Sequence, residues 1–105
     1  MKWYHAQPKS IGQKFLNDMR IHKSIDGGVY LTETAKDAFS FQIYKAIAKH
    51  DDLWIFELEG LDGSLIEETF DHNTEFFRCK SYMYLDEIDL HYVDWDITEY
   101  LTSGI

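Results

Sequence analysis

The order of apolar patterns along the chain is the feature that most restricts its fold. Two segments carry apolar residues at helical spacing, and each follows a short β-branched or aromatic run, at Lys2–Ala6 and at Val29–Thr32. From Leu53 onward the patterns are mostly those of strands. A β-α-β-α order followed by several strands predicts an α+β fold. With 105 residues, the chain is expected to form one domain over residues 1–105.

Both predicted helices have an identifiable beginning. The first starts near Lys9 with Ser10 as a candidate N-cap, and the second starts after a cap at Thr32 or Thr34 and ends near His50. The apolar stripe of the first helix is Ile11, Phe15, Leu16 and Met19, and that of the second is Ala38, Phe39, Ile43, Ala46 and Ile47. Both stripes predict helices that pack one face on a sheet.

The remaining elements are predicted to be strands and one terminal helix. Leu53–Leu58 is apolar enough for a central strand, and a shorter segment, Leu65–Phe70, follows it. Phe76–Leu85 reads as a long strand, and Ile88–Asp94 alternates as a half-exposed one. Ile97–Leu101 is predicted to be a short helix that covers the sheet.

Charge is distributed unevenly along the sequence. The net charge is −9, yet residues 1–50 carry eight Lys/Arg against four Asp/Glu, and residues 51–105 carry two against fifteen. Such a chain does not neutralise phosphates over a broad surface, so general duplex binding is disfavoured, although the N-terminal half can hold one anionic ligand. The acidic half is either a solvated face or a surface for a basic partner.

Several common site classes are excluded or disfavoured by residue content. The single cysteine, Cys79, excludes an internal disulfide framework and a cysteine zinc site, and it favours a reducing, cytoplasmic compartment. The chain has no apolar run of the ~20 residues that a membrane helix needs. The residues MKWYHAQPKS lack the apolar region of a signal peptide, so none is expected. The histidines lack metal-ligand spacing, so no metal site is expected; they are His5, His22, His50, His72 and His91.

The first three elements carry a string of residues at defined places. A strand ends in Tyr4-His5, one helix follows, and Gly28-Val29-Tyr30-Leu31-Thr32 then leads into a second helix. This order resembles the ADP-ribosyltransferase superfamily, in particular the His-Tyr-Glu class of the poly-ADP-ribose polymerases and DNA-targeting toxins. The resemblance covers residues 2–48 best and implies a split antiparallel or mixed sheet with two main helices.

The resemblance implies that NAD is the cofactor. It implies that His5 hydrogen-bonds the adenosine-side ribose hydroxyl, that Tyr30 stacks on the nicotinamide ring, and that Phe41 is a second aromatic on that ring. The catalytic residues would be Tyr30 and Glu75, because the family's glutamate lies at the start of a late strand and Glu75 precedes the predicted strand from Phe76. An ionised carboxylate there stabilises the oxocarbenium-like transition state.

The sequence also departs from the family pattern. Ala6-Gln7 follows the histidine where the family has Gly-Thr or Gly-Ser, and 44 residues separate Tyr30 from Glu75. The lysines expected to face the NAD pyrophosphate are Lys9, Lys14 and Lys23.

Two functional hypotheses follow. In the first, ADP-ribose is transferred to a macromolecular acceptor; a protein acceptor is expected, and a nucleic acid is disfavoured by charge. In the second, the chain is a non-enzymatic acidic interaction module that binds and inhibits a basic nucleic-acid-handling protein. The related RNA 2′-phosphotransferases are disfavoured, because they need several arginines and this chain has only Arg20 and Arg78.

Overall fold

The computed structural model describes residues 1–69 and 80–104, and in this part of the chain two helices pack on small antiparallel sheets. The predicted α+β class is confirmed. In chain order the elements are β1 Lys2–Pro8, α1 Lys9–Asp18, β2 Arg20–Ile21, β3 Val29–Leu31, α2 Ala35–Ala48, β4 Leu53–Glu59, β5 Ile66–Thr69, β6 Ser81–Tyr84, β7 Ile88–Asp89 and β8 Asp94–Tyr100. Short 3₁₀ turns span Gly63–Leu65 and Thr102–Gly104.

The sheet is split into two main parts that meet at one seam. One part has the order β1-β4-β8 and the other β3-β6-β5, and a small pair is formed by β2 and β7. At the seam, β1 lies beside β3, where the main chains of Tyr4 and Thr32 exchange two hydrogen bonds of 3.0 Å. This seam brings the middle of β1, around Tyr4 and His5, next to the strand that carries Tyr30.

The predicted central strand is confirmed as the middle of its sheet. On one face of β4, Phe56 and Leu58 join the larger core, which also contains Trp3 and Phe15. On the other face, Leu53 and Ile55 pack with α2 through a second cluster, which includes Ala6, Ala38, Ile43 and Ala46. Burial on both faces explains why this segment is a nearly continuous apolar run.

The N-cap predicted for α2 is confirmed, and the one predicted for α1 is wrong. Thr34 caps α2, because its Oγ1 accepts a hydrogen bond from the Asp37 backbone at 3.2 Å. Ser10 is not the cap of α1; the helix begins one residue earlier, directly after Pro8. The N–H and hydroxyl of Ser10 both donate to Asp51 Oδ2, at 3.0 and 2.8 Å. The loop after α2 therefore satisfies the first turn of α1.

The C-terminal prediction is wrong in two places. Ile97–Leu101 is not a helix, because Asp94–Tyr100 forms β8 along the whole length of β4. The partly buried residues Trp95 and Ile97 are two apart and face the larger core, which is a strand period. The predicted strand Ile88–Asp94 is interrupted after Asp89 by a turn. Of the predicted strand 76–85, residues 76–79 lie outside the described residues.

Gly28 is the position where a side chain is least tolerated. A Cβ there would lie 2.6 Å from the carbonyl oxygen of Tyr84 and would also overlap Met83, whereas a Cβ on Gly63 would meet nothing within 4 Å. Gly28→Ala is therefore expected to lower the free energy of unfolding by about 1–3 kcal/mol. Urea denaturation with Gly63→Ala as the control measures this. Equal effects of the two substitutions would contradict the close approach of β3 and β6.

Candidate functional site

A small cavity lies between β1, β3 and the first half of α2. Its volume is about 50 Å³. The lining residues are Tyr4, His5, Ala6, Gln7, Tyr30, Leu31, Thr32, Ala38, Phe41 and Gln42. His5, Tyr30 and Phe41, the three residues expected to bind NAD, are thus brought to one cavity from three separate elements. Space of this size accommodates ordered water, whereas pockets for drug-sized ligands measure roughly 300–1,000 Å³.

His5 is buried and both of its ring nitrogens are engaged. Its Nδ1 lies 2.6 Å from the backbone oxygen of Tyr30, and its Nε2 lies 3.2 Å from Gln7 Nε2. A carbonyl oxygen only accepts, so Nδ1 carries the proton and donates it. In the neutral ring, Nε2 is then an acceptor and receives a hydrogen bond from the Gln7 amide.

Burial keeps His5 neutral. Loss of hydration lowers the pKa of His5 to about 4, which outweighs the opposite effect of the Tyr30 carbonyl. The positive charge of Lys45 also lowers this pKa. His5 at neutral pH therefore offers a ligand one acceptor, Nε2, and no free donor.

Tyr30 contacts His5 through its main chain. Its phenol hydroxyl donates to Asp26 Oδ2 at 2.6 Å, within the loop that precedes β3. The two residues lie on neighbouring strands, and the contact that joins them is the Tyr30 carbonyl, which the residue pattern does not reveal. The stacking role of the Tyr30 ring stays a prediction.

The face of α2 that lines the cavity follows helical spacing. Ala38, Phe41 and Gln42 are three or four residues apart, and Lys45 continues the same row. Lys45, which is not one of the lysines named from the sequence, is a positive charge that lowers the pKa of His5. Lys9, in contrast, lies in an ion pair with Glu99, with 2.7 Å between Nζ and Oε1.

Two side-chain oxygens in the cavity wall were not expected from the sequence. Gln7 Oε1 and Gln42 Oε1 are buried, and within residues 1–69 and 80–104 neither has a hydrogen-bond partner. In the sequence, Gln7 stands out only as a departure from the family pattern. The strand alternation that puts Gln7 two residues after His5, and the helical row that contains Gln42, are the signals that identify both.

The carboxylate that the resemblance implies to be catalytic stays a prediction. Glu75 lies outside the described residues. The described start of the strand beside β3 is Ser81, which is buried and pairs with Thr69. Two other glutamates lie elsewhere: Glu68 lines a separate cavity with Trp3 and Tyr82, and Glu87 accepts a hydrogen bond from Arg20 at 3.2 Å.

A second feature of the surface is an acidic patch on β4 and β8. Glu57 lies opposite Asp96, and Glu59 lies opposite Asp94, in the antiparallel register. Lys2 lies among them, with its Nζ 3.3 Å from Glu57 Oε1. Like charges directly opposite on neighbouring strands destabilise a sheet. The four carboxylates therefore form a surface whose repulsion a bound cation would relieve.

The low pKa of His5 predicts how the free energy of unfolding depends on pH. Between its unfolded value of 6.5 and the folded value of about 4, the unfolded chain binds a proton that the folded chain does not. Stability is thus lost as the pH falls through this range, by about 3 kcal/mol in total. Urea denaturation at several pH values is expected to show a weaker dependence in His5→Gln.

His50→Asn is the matched control, because His50 is exposed and its left-handed backbone suits asparagine. The control is expected to keep the wild-type pH dependence. If the free energy of unfolding of His5→Gln falls with decreasing pH as steeply as that of the wild type, burial of a neutral His5 is contradicted.

No family model, curated protein or solved structure matches this chain. Among the described residues, no three His, Cys, Asp or Glu side chains lie close enough to hold a metal ion. Within the same residues, neither helix is long and apolar enough to cross a membrane.

Proposed function

We propose that this chain transfers ADP-ribose from NAD to a macromolecular acceptor, with NAD bound at the cavity between β1, β3 and α2. The observation that carries the proposal is the meeting of His5, Tyr30 and Phe41 at one cavity, from positions far apart in the sequence. The split sheet with two helices is consistent with the fold that the resemblance implies.

The chemistry breaks one bond and forms another. The bond between nicotinamide and the ribose anomeric carbon breaks, nicotinamide leaves with the bonding electrons, and a nucleophile of the acceptor attacks the same carbon and loses its proton. Positive charge grows on the ribose in the transition state, so fixed negative charge nearby lowers the barrier. Glu75 is the proposed source of this charge, and Lys45 is the described cation placed to attract the pyrophosphate.

Binding of NAD requires the cavity to open. The present space of about 50 Å³ is too small for a dinucleotide. His5 Nε2 is the acceptor available for a ribose hydroxyl, and Gln7 now engages it. His5 and Gln7 are therefore the residues whose rearrangement a bound NAD demands.

The binding step is tested by NAD titration followed by NMR of the backbone amides. NAD is expected to shift the resonances of His5, Tyr30 and Phe41, and His5→Ala is expected to weaken binding by about 1–3 kcal/mol through the lost hydrogen bond. His50→Ala, on the exposed turn after α2, is expected to bind like the wild type. Absence of shifts at saturating NAD would overturn the proposal.

The catalytic step is tested by Glu75→Gln. The substitution keeps the size and hydrogen bonding of the side chain but removes its charge, so NAD binding is expected to be retained. NAD consumption in the presence of cell extract is expected to fall by roughly two to three orders of magnitude. Equal rates for the two proteins would remove Glu75 from the mechanism.

The acidic patch on β4 and β8 favours a second candidate function, a non-enzymatic module that binds a basic nucleic-acid-handling protein. Four carboxylates and Lys2 line this surface together with Trp95. A partner rich in arginine and lysine would neutralise the two opposed pairs, Glu57 with Asp96 and Glu59 with Asp94. Binding of this kind weakens as salt is added.

This candidate makes a prediction for the double variant Glu59→Gln, Asp94→Asn. Removing one opposed pair is expected to raise the Tm at low salt and to weaken binding of an arginine-rich peptide. The control, Glu67→Gln with Glu68→Gln, removes the same charge from exposed positions on β5. Equal losses of peptide binding in both double variants would show a general charge effect and would contradict a site at this patch.

A further inference from the structure

We propose that Gln7 is an internal competitor for the ligand: its side-chain amide occupies the acceptor on His5 that a bound ligand must use, so Gln7 holds the cavity closed and sets its affinity. The ligand class is a molecule that presents hydroxyl or N–H donors, as NAD does. This inference rests on the proposed function and deepens it.

The competition follows from the number of hydrogen bonds that His5 can make. Its Nδ1 proton is committed to the Tyr30 carbonyl at 2.6 Å, inside the seam between the two sheets. The ring has one other nitrogen, and Nε2 has one lone pair, which receives the Gln7 amide at 3.2 Å. A ligand hydroxyl and the Gln7 amide therefore cannot both bind to His5.

Within the described residues, only one of the two polar atoms of the Gln7 amide is hydrogen-bonded in the closed cavity. Its Nε2 donates to His5, but its Oε1 is buried with no hydrogen-bond partner in the described part of the chain. A buried acceptor without a partner loses its hydration and gains nothing in return. Rotation of Gln7 out of the cavity restores water to that oxygen, so an incoming ligand meets a contact that is easily displaced.

Gln42 gives the same cavity a second acceptor. Its Oε1 is also buried without a partner among residues 1–69 and 80–104, and it enters the cavity from α2, opposite β1. Unlike Gln7, it has no bond to His5. Gln42 is therefore the matched control for Gln7, because it lines the same cavity with an oxygen that is unpaired among the described residues but does not engage His5.

The test compares NAD affinity in the full chain by isothermal titration calorimetry. Gln7→Ala frees His5 Nε2 and is expected to bind NAD about 3- to 10-fold more tightly than the wild type, the range expected from one neutral hydrogen bond. Gln42→Ala enlarges the same cavity without freeing His5, and no gain is expected. Adding His5→Ala to Gln7→Ala is expected to abolish the gain.

A spectroscopic readout accompanies the affinities. The ¹⁵N shift of His5 Nε2 is expected to move in Gln7→Ala without any ligand and to stay at the wild-type value in Gln42→Ala. If Gln7→Ala does not fold, Gln7→Val, with a β-branched side chain suited to a strand and no donor, replaces it. An unmoved Nε2 shift in a folded Gln7 variant would overturn the competition.

The remaining outcomes separate the two proposals. If NAD binds the wild type and the Gln7 variant equally, or the variant more weakly, the role of Gln7 is overturned and NAD binding stands. If NAD binds neither protein, the proposed function is overturned, and the role of Gln7 is overturned with it.

Discussion

The seam between β1 and β3 is the constraint on which the candidate site depends. Two main-chain hydrogen bonds join Tyr4 to Thr32, and the buried side chain of His5 adds a third link to the Tyr30 carbonyl. Both sheets are anchored here, because β1 also pairs with β4 along its whole length. A change at His5 therefore affects the junction of the sheets as well as the cavity beside it.

The proposed function gives His5 two tasks, one in the seam and one toward a ligand. Burial in the seam keeps His5 neutral, and its two ring nitrogens are hydrogen-bonded to the Tyr30 carbonyl and the Gln7 amide. A histidine that binds a ligand must instead offer a free nitrogen. In the proposed function, the bond on Nδ1 stays in place as a structural bond, and the bond on Nε2 is the one that a ligand replaces.

Opposite charges join the basic and acidic halves of the sequence in the folded protein. Lys2 pairs with Glu57, Lys9 with Glu99 and Arg20 with Glu87, and each pair links an N-terminal cation to a C-terminal carboxylate. These pairs are substantially exposed, so each contributes little to stability. On β4 and β8, the strand register also sets Glu57 opposite Asp96 and Glu59 opposite Asp94, with Lys2 beside them.

The sequence by itself determined the α+β class, both helices and the central position of Leu53–Leu58, and it limited the cap of the second helix to Thr32 or Thr34, because local spacing and cap chemistry encode these features. The resemblance also named His5, Tyr30 and Phe41, which the fold brings to the lining of one cavity, and their roles toward NAD stay predictions. Only the tertiary structure decided that Ser10 binds Asp51, that Ile97–Leu101 is a strand beside β4, and that Gln7 engages His5. The first two depend on partners that are distant in sequence, and the third depends on side-chain geometry. The local sequence pattern predicts neither of these.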